Sequence, residues 1–248
     1  MIRATLVLIN LLVMTPIFGG ASLIAGLLRI RDRPGSPYDW APRLWGKTHL
    51  WVGGVRIVEH GLENKGGGQH IFVANHLGNF DVFALAAKLP WLKFVAKAEL
   101  FRVPILGPAM RAAGMIPIER ANRKSAFTSY ATATERINAG ASVAVYPEGT
   151  RGNAYALRPF KKGPFVLAIQ AQAPVVPLVV YGALDVQRKG EFKVKPGTIH
   201  MHYLPEISTV GMTYDQRDEL ARRTYEAMAA CMEREYGVVS PPYRVSGA

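Results

Sequence analysis

The sequence predicts an α/β protein: a mostly parallel sheet covered by helices, with a C-terminal antiparallel hairpin, preceded by an N-terminal membrane-associated helical segment. Three observations lead there. Residues 4–28 form a run of 25 without a single charged side chain. Beyond Gly53, short apolar runs alternate with longer amphipathic ones, the pattern of a parallel sheet covered on both faces. Pro196-Gly197, a turn signal, separates two last strand-like runs at 192–194 and 199–203.

Taken in order, the uncharged run comes first. As a straight helix at about 1.5 Å per residue it reaches roughly 37 Å, enough to cross a hydrocarbon core. Pro16, Gly19 and Gly20 interrupt it, however, so two short helices lying in one leaflet fit equally well. A full span and a cleaved secretory leader with Arg3 in front remain alternatives. Arg29, Arg31 and Arg33 follow the run and would hold that end at a cytoplasmic face. Residues 38–52 carry Trp40, Trp45 and Trp51, three of the four tryptophans. Such rings favour the headgroup level of a membrane, or else pack against the neighbouring domain.

Strands are then expected at 55–59, 70–74, 93–96, 115–118, 142–146 and 175–181. Between them, Gly66, Gly67 and Gly68 mark a loop. Helices are expected at 80–89, closed by Pro90, and at 104–113, 124–137 and 164–172, with an amphipathic closing helix at 212–236. The domain reading is therefore 1–52 for membrane-anchoring or interfacial helices, 53–237 for an α/β domain, and 238–248 for a flexible tail.

Composition narrows the function. The chain has 248 residues, 49% of them apolar, and a net charge of +12, with a pI near 10. That is enough apolar material for a substantial core, which excludes disorder. A single cysteine, Cys231, excludes an intramolecular disulfide framework and a cysteine-based zinc site. The positive excess calls for an anionic membrane face, a phosphorylated or acidic substrate, or nucleic acid. Between 88 and 124, eight cations (Lys88, Lys93, Lys97, Arg102, Arg111, Arg120, Arg123, Lys124) face only Glu99 and Glu119, a basic belt or simply a solvated face. The belt has no interleaved aromatics and no groove-reading motif, which argues against nucleic acid.

Polar clusters fall where three strands end, the place at which α/β proteins gather reactive groups. Asn75-His76-Leu77-Gly78-Asn79-Phe80-Asp81 follows the 70–74 strand. Five positions apart on one helix, His76 and Asp81 would diverge by about 140°. With His76 in the turn and Asp81 in the first helical turn, the carboxylate can fold back and hold the imidazole as a general base. An Asp helix cap beside a backbone-paired His is the plainer alternative. Tyr146-Pro147-Glu148-Gly149-Thr150-Arg151 follows the 142–146 strand and offers a carboxylate, a hydroxyl and a bidentate cation at one rim, suited to a phosphorylated polyol. A turn holding a Glu–Arg ion pair is its alternative. Gly114 through Arg120 is a strand with a basic end. His200 and His202 alternate on one strand face without a visible third ligand, so no metal site is expected. His49, His60 and His70 are expected at the surface or at helix ends, and Cys231 as a small buried hydrophobe.

Together, Asn75-His76-x4-Asp81, Gly114 through Arg120, Pro147-Glu148-Gly149-Thr150-Arg151 and Val175-Val176-Pro177 resemble the four motif blocks of the glycerolipid acyltransferases, most closely the bacterial 1-acyl-glycerol-3-phosphate acyltransferases. The resemblance covers 55–203. Tyr146 stands where the family usually has Phe, and Gly152 where Ser is common; neither removes a functional group. The resemblance implies that His76 is the general base and Asp81 its orienting partner. It implies that Lys97, Arg120 and Arg151 handle a phosphate, and that Asn75, Glu148, Gly149 and Thr150 contact the substrate. It implies a bacterial inner-membrane enzyme with its catalytic domain on the cytoplasmic side. The expected acceptor is lysophosphatidic acid, with glycerol 3-phosphate, a lyso-ornithine lipid or another lysophospholipid as alternatives, and the donor an acyl-CoA or acyl-carrier-protein thioester; the rival outside the enzymes is a basic, membrane-tethered protein that binds anionic lipid. No cofactor, metal or nucleic acid is implied, and no oligomeric state. A missing catalytic Cys and a missing Gly-x-Ser-x-Gly elbow agree with direct attack by the hydroxyl.

Overall fold

The computed structural model describes residues 1–66, 69–119 and 123–244, with 123–128 described by backbone alone. Seven strands form one sheet in the order β1-β7-β6-β2-β5-β3-β4. They are β1 (Val55–His60), β2 (Ile71–Ala74), β3 (Leu92–Lys97), β4 (Ile116–Ile118), β5 (Ser142–Val145), β6 (Val175–Tyr181) and β7 (Gly197–Tyr203). The central ladder is parallel: Ile71 faces Val143 of β5 on one side and Val175 of β6 on the other. Alternation along β2 sends Phe72 and Ala74 into one apolar layer and Ile71 and Val73 into the other.

The Phe72 layer is roofed by α3 (Asn79–Lys88) and, beyond it, α2 (Pro37–Gly53). The Ile71 layer lies under α5 (Arg123–Asn138), α6 (Gly163–Ala171) and α8 (Arg217–Tyr236). α1 (Ile2–Leu27), α4 (Leu106–Ala112) and the short α7 (Ala183–Val186) complete the fold. Because β2, β5, β3 and β6 run in one direction, the polar clusters after β2 and β5 and the end of β3 share one edge of the sheet.

Pro16 does not split the N-terminal run; α1 is one helix with the proline inside it. It lies antiparallel along α2: Arg3 donates to Val52 O, Asn10 to Thr48, and Trp45 Nε1 to Thr15 Oγ1 at 3.0 Å. The face turned away from α2 is apolar and open, with Leu6, Ile9, Leu12, Ile17 and Ile24 all exposed. α2 in turn sits directly on α3. A Cβ on Gly46 would stand 2.6 Å from Phe83 O and 2.9 Å from Ala87 N, both rigid backbone. Gly46→Ala is therefore expected to lower stability by about 2 kcal/mol, overriding alanine's roughly 1 kcal/mol advantage as a helix former. An unchanged thermal midpoint would refute that close approach.

The antiparallel pair at the C-terminal end exists, but it joins β7 to β6, with Tyr181 opposite His200, and β7 also runs parallel to β1. Residues 192–194 are irregular, because the edge of β7 that they would have paired with is taken by β1. His49 and His70 are not surface residues. His49 is fully buried, stacked on Phe83 at 4.4 Å, and burial pushes its pKa down. His70 is buried and pairs with Glu206 at 3.0 Å. His60 joins His200 and His202 in a stack, its ring 4.2 Å from that of His202. His60 Nε2 meets His200 Nδ1 at 3.0 Å, and among the described residues no group of three or more His, Cys, Asp and Glu has a metal-holding arrangement. The segment expected as a loose tail is held as far as Tyr243: Ser240 Oγ accepts from Leu157 N, and Pro241 O accepts from the Tyr225 hydroxyl. Residues 245–248 and Gly67 and Gly68 lie outside the described residues.

Candidate active site

Asp81 occupies the third position of α3 and caps its start: Oδ2 accepts from Leu77 N at 2.7 Å and from Gly78 N at 2.8 Å. The same fully buried carboxylate lies 3.1–3.2 Å from His76 Nδ1. The cap and the histidine partner that sequence treats as alternatives are thus one residue doing both. A carboxylate at Nδ1 fixes the tautomer with the proton on Nδ1, which leaves Nε2 as the acceptor. His76 keeps 17% of its side chain exposed, and its ring stacks on Tyr146 at 4.1 Å.

The loop after β5 closes over the same residue. Glu148 Oε1 accepts from His76 N at 3.3 Å, and Gly152 N donates to His76 O at 2.8 Å. Gly149 adopts φ +74, which glycine tolerates without strain, and the Lys161 side chain lies directly over it. Arg151 is tied to the start of α3 through Asn79 Oδ1 at 3.0 Å, and Thr150 is exposed beside it.

Burial pushes the Glu148 carboxyl up to about 8; the His76 N–H and the Arg158 charge only partly offset it, and the Asp81 carboxylate adds to it. Its folded pKa stands above the ordinary 4.5, so the stability it lends is complete below pH 4.5 and drains away as pH rises towards 8. Glu148→Gln is expected to be more stable than the parent at pH 9 by about 2 kcal/mol, with little difference at pH 5. Thermal unfolding at both values checks this, and an equal difference at the two would contradict it. Tyr146 carries a buried hydroxyl beside the Asp81 carboxylate; burial and then that carboxylate push the phenol well up, so it stays protonated.

The remaining expected residues are placed as follows. The Asn75 amide is buried and bonded at both ends to Val180, donating to its O at 2.9 Å and accepting from its N at 2.7 Å. It straps β2 to β6 at the floor of the site. Lys97 ends β3 on the same sheet edge, exposed and paired with Glu99 at 3.0 Å. Arg120 lies outside the described residues. The basic belt does not form a single face: Lys93 is fully buried against Asp32, and Lys88 pairs with Glu59 at the far end of α3. Two cations absent from the sequence expectation stand closer to the chemistry. Arg158 acts on Glu148 and reaches towards Thr150 O, while Lys161 covers Gly149. Their signal was the basic run Arg158, Lys161, Lys162 directly after the second cluster.

This geometry accompanies a specific likeness. An acyltransferase family model matches residues 56–181. The 1-acyl-sn-glycerol-3-phosphate acyltransferase of Limnanthes douglasii is 34% identical over 199 residues, covering 79% of this chain and 69% of that protein. The alpha form from Homo sapiens is 32% identical over 178 residues, 71% of this chain and 63% of that protein. In fold, the chain superposes on the crystal structure of the 1-acyl-sn-glycerophosphate (LPA) acyltransferase PlsC from Thermotoga maritima with a TM-score of 0.79 at 23% identity, over 97% of both chains. Motif blocks, buried His–Asp pair, relatives and fold agree, and the chain belongs to the glycerolipid acyltransferase family, as an enzyme of the 1-acyl-sn-glycerol-3-phosphate acyltransferase class.

Proposed function

We propose that this enzyme moves an acyl chain from an acyl-CoA or acyl-carrier-protein thioester to the free hydroxyl of lysophosphatidic acid, giving phosphatidic acid. The observation that carries it is the His76–Asp81 pair, with its Nδ1 side occupied and its Nε2 side free, at the strand ends shared with Glu148 and Arg151. Nε2 takes the hydroxyl proton as that oxygen bonds to the thioester carbonyl carbon. Asp81 stabilises the imidazolium that forms. When the tetrahedral adduct collapses, the C–S bond breaks and the departing thiolate takes the proton back from Nε2. No acyl-enzyme is required and no cofactor takes part.

Arg151, Lys97 and Arg120 bind the acceptor phosphate on this reading, with Arg158 and Lys161 added to them. Glu148, largely protonated at neutral pH, serves the glycerol backbone as donor and acceptor, beside Gly149 and Thr150. Asn75 acts by holding the strand end rather than by touching the acceptor. Residues 1–52 serve as the anchor and 53–237 as the catalytic part. α1 is long and apolar enough to span a bilayer by length and composition. Its docking along the whole of α2, a helix carrying Asp39, Arg43 and Lys47, supports embedding in one leaflet. Arg29, Arg31 and Arg33 favour the cytoplasmic leaflet of a bacterial inner membrane.

The test is acylation by purified enzyme, with labelled acyl-CoA and acyl-carrier protein offered against a panel of acceptors: lysophosphatidic acid, glycerol 3-phosphate, a lyso-ornithine lipid and other lysophospholipids. Labelled phosphatidic acid as the dominant product is expected. Faster turnover of any other acceptor would replace the substrate named here.

A further inference from the structure

One charged feature lies away from the reacting residues. Between α2, β1 and the end of α3 runs a groove of about 470 Å³, and its lining includes Arg43, Lys47, Lys65 and Lys88, with Glu59 as the one carboxylate and Trp51 at the rim. Glu59 is already taken, holding Lys65 at 2.9 Å, Lys88 at 2.8 Å and the Tyr203 hydroxyl at 2.9 Å. Arg43 and Lys47 have no ion-pair partner among the described residues. Arg43 Nε is moreover buried without a hydrogen-bond partner, a donor left waiting for an acceptor.

The surroundings of the groove indicate which acceptor. On α2, Trp40, Leu44, Lys47 and Trp51 fall at helical spacing on one exposed face, with Trp51 82% exposed. α1, packed alongside α2, adds an open apolar face of its own. A cation set between interfacial aromatics is placed to reach a phosphate at headgroup level. Lys88 ends α3, about 10 Å of helix beyond Asp81, and His76 lies further back in the turn. The groove therefore stands apart from the acyl-transfer centre.

We propose that this groove binds the phosphate headgroup of an anionic membrane phospholipid whose tails lie against Trp51, Leu44 and α1. The inference rests on the reading that the enzyme works at a membrane. It adds a second lipid site on the anchor, separate from the substrate site.

The experiment uses the full chain and sedimentation with vesicles of phosphatidylcholine, alone or with one fifth phosphatidylglycerol, at fixed ionic strength. The parent is expected to prefer the anionic vesicles. Arg43→Gln/Lys47→Gln is expected to lose about thirtyfold of that preference while binding pure phosphatidylcholine as before. Arg222→Gln/Arg223→Gln removes the same charge from α8, under the opposite face of the sheet, and is expected to lose less than threefold. Equal losses in the two double variants would reduce the effect to diffuse charge and overturn the site, as would a parent without preference. Capture of acidic carrier protein that depends on Arg43 and Lys47, with the vesicle preference intact, would reassign the groove to the donor and overturn the lipid. Acylation of detergent-dispersed lysophosphatidic acid, assayed alongside, is expected within twofold of the parent in both variants. Its absence in the parent would count against the proposed reaction and not against the groove.

Discussion

Alanine at His76 is expected to lower kcat for acyl transfer about a thousandfold while KM for lysophosphatidic acid stays within a few-fold. The reasoning is geometric. Nδ1 is committed to Asp81, so only Nε2 can take the proton from an incoming hydroxyl, and no second imidazole touches that carboxylate. Adding Asp81→Asn to His76→Ala is expected to cost little further activity, because the two act as one unit. Asp81→Ala alone is expected to lose both turnover and stability, since the Leu77 and Gly78 N–H groups at the start of α3 lose their acceptor. Circular dichroism of His76→Ala should match the parent, as the side chain makes no other hydrogen bond among the described residues. A kcat within tenfold of the parent would remove His76 from the chemistry.

That histidine and its carboxylate were legible in the sequence because everything that joins them is local. A turn, a helix start and a five-residue offset suffice, and no distant strand has to be placed first. Strands β1, β5 and β6 were legible for a similar reason: each is a short apolar run bounded by Gly or Pro. What escaped depends on distant partners. Asn75 reads as a substrate ligand until β6, more than a hundred positions on, supplies a backbone N–H and C=O to both ends of its amide. Lys93 reads as one more surface cation, yet alternation along β3 turns it inward, where Asp32 and the carbonyl of Ala113 meet it. The strand expected at 192–194 fails because β1, far earlier in the chain, already covers the edge of β7. Arg158 and Lys161 were missed because a loop folds them back over Glu148 and Gly149, and no periodicity encodes such a return.

Lys93 yields the largest stability effect. Its ammonium is wholly buried, 2.9 Å from Asp32 and 2.9 Å from Ala113 O, and Asp32 also accepts from Trp91 Nε1 at 2.6 Å. Asp39 accepts from Trp91 N at 2.7 Å and from Gly35 N at 2.8 Å, so one clamp joins the segment between α1 and α2 to β3. Burial lowers the Lys93 pKa in spite of Asp32, so the folded state gives up its proton more readily than the unfolded chain. Stability from this group therefore rises with pH, from the lowered folded value up to the ordinary 10.5. Asp32→Ala leaves the ammonium buried without its counter-charge and is expected to cost about 3 kcal/mol at pH 7. The deficit should shrink between pH 7 and 10, as Lys93 sheds its proton at less expense. Asp32→Ala/Lys93→Met should regain part of the loss, since an apolar chain of similar length fills the same space without a charge. The Trp91 Nε1–H and the Ala113 carbonyl, each left without its partner at a cost of about 1 kcal/mol, remain to be carried. Denaturant midpoints for the three proteins at pH 7 and pH 10 decide the matter. A double variant no more stable than Asp32→Ala would mean that the loss comes from the Trp91 bond or the chain path, not from a stranded charge. Recovery would instead trace the loss to the stranded ammonium, and would show that apolar packing can join the segment between α1 and α2 to β3 in place of the ion pair.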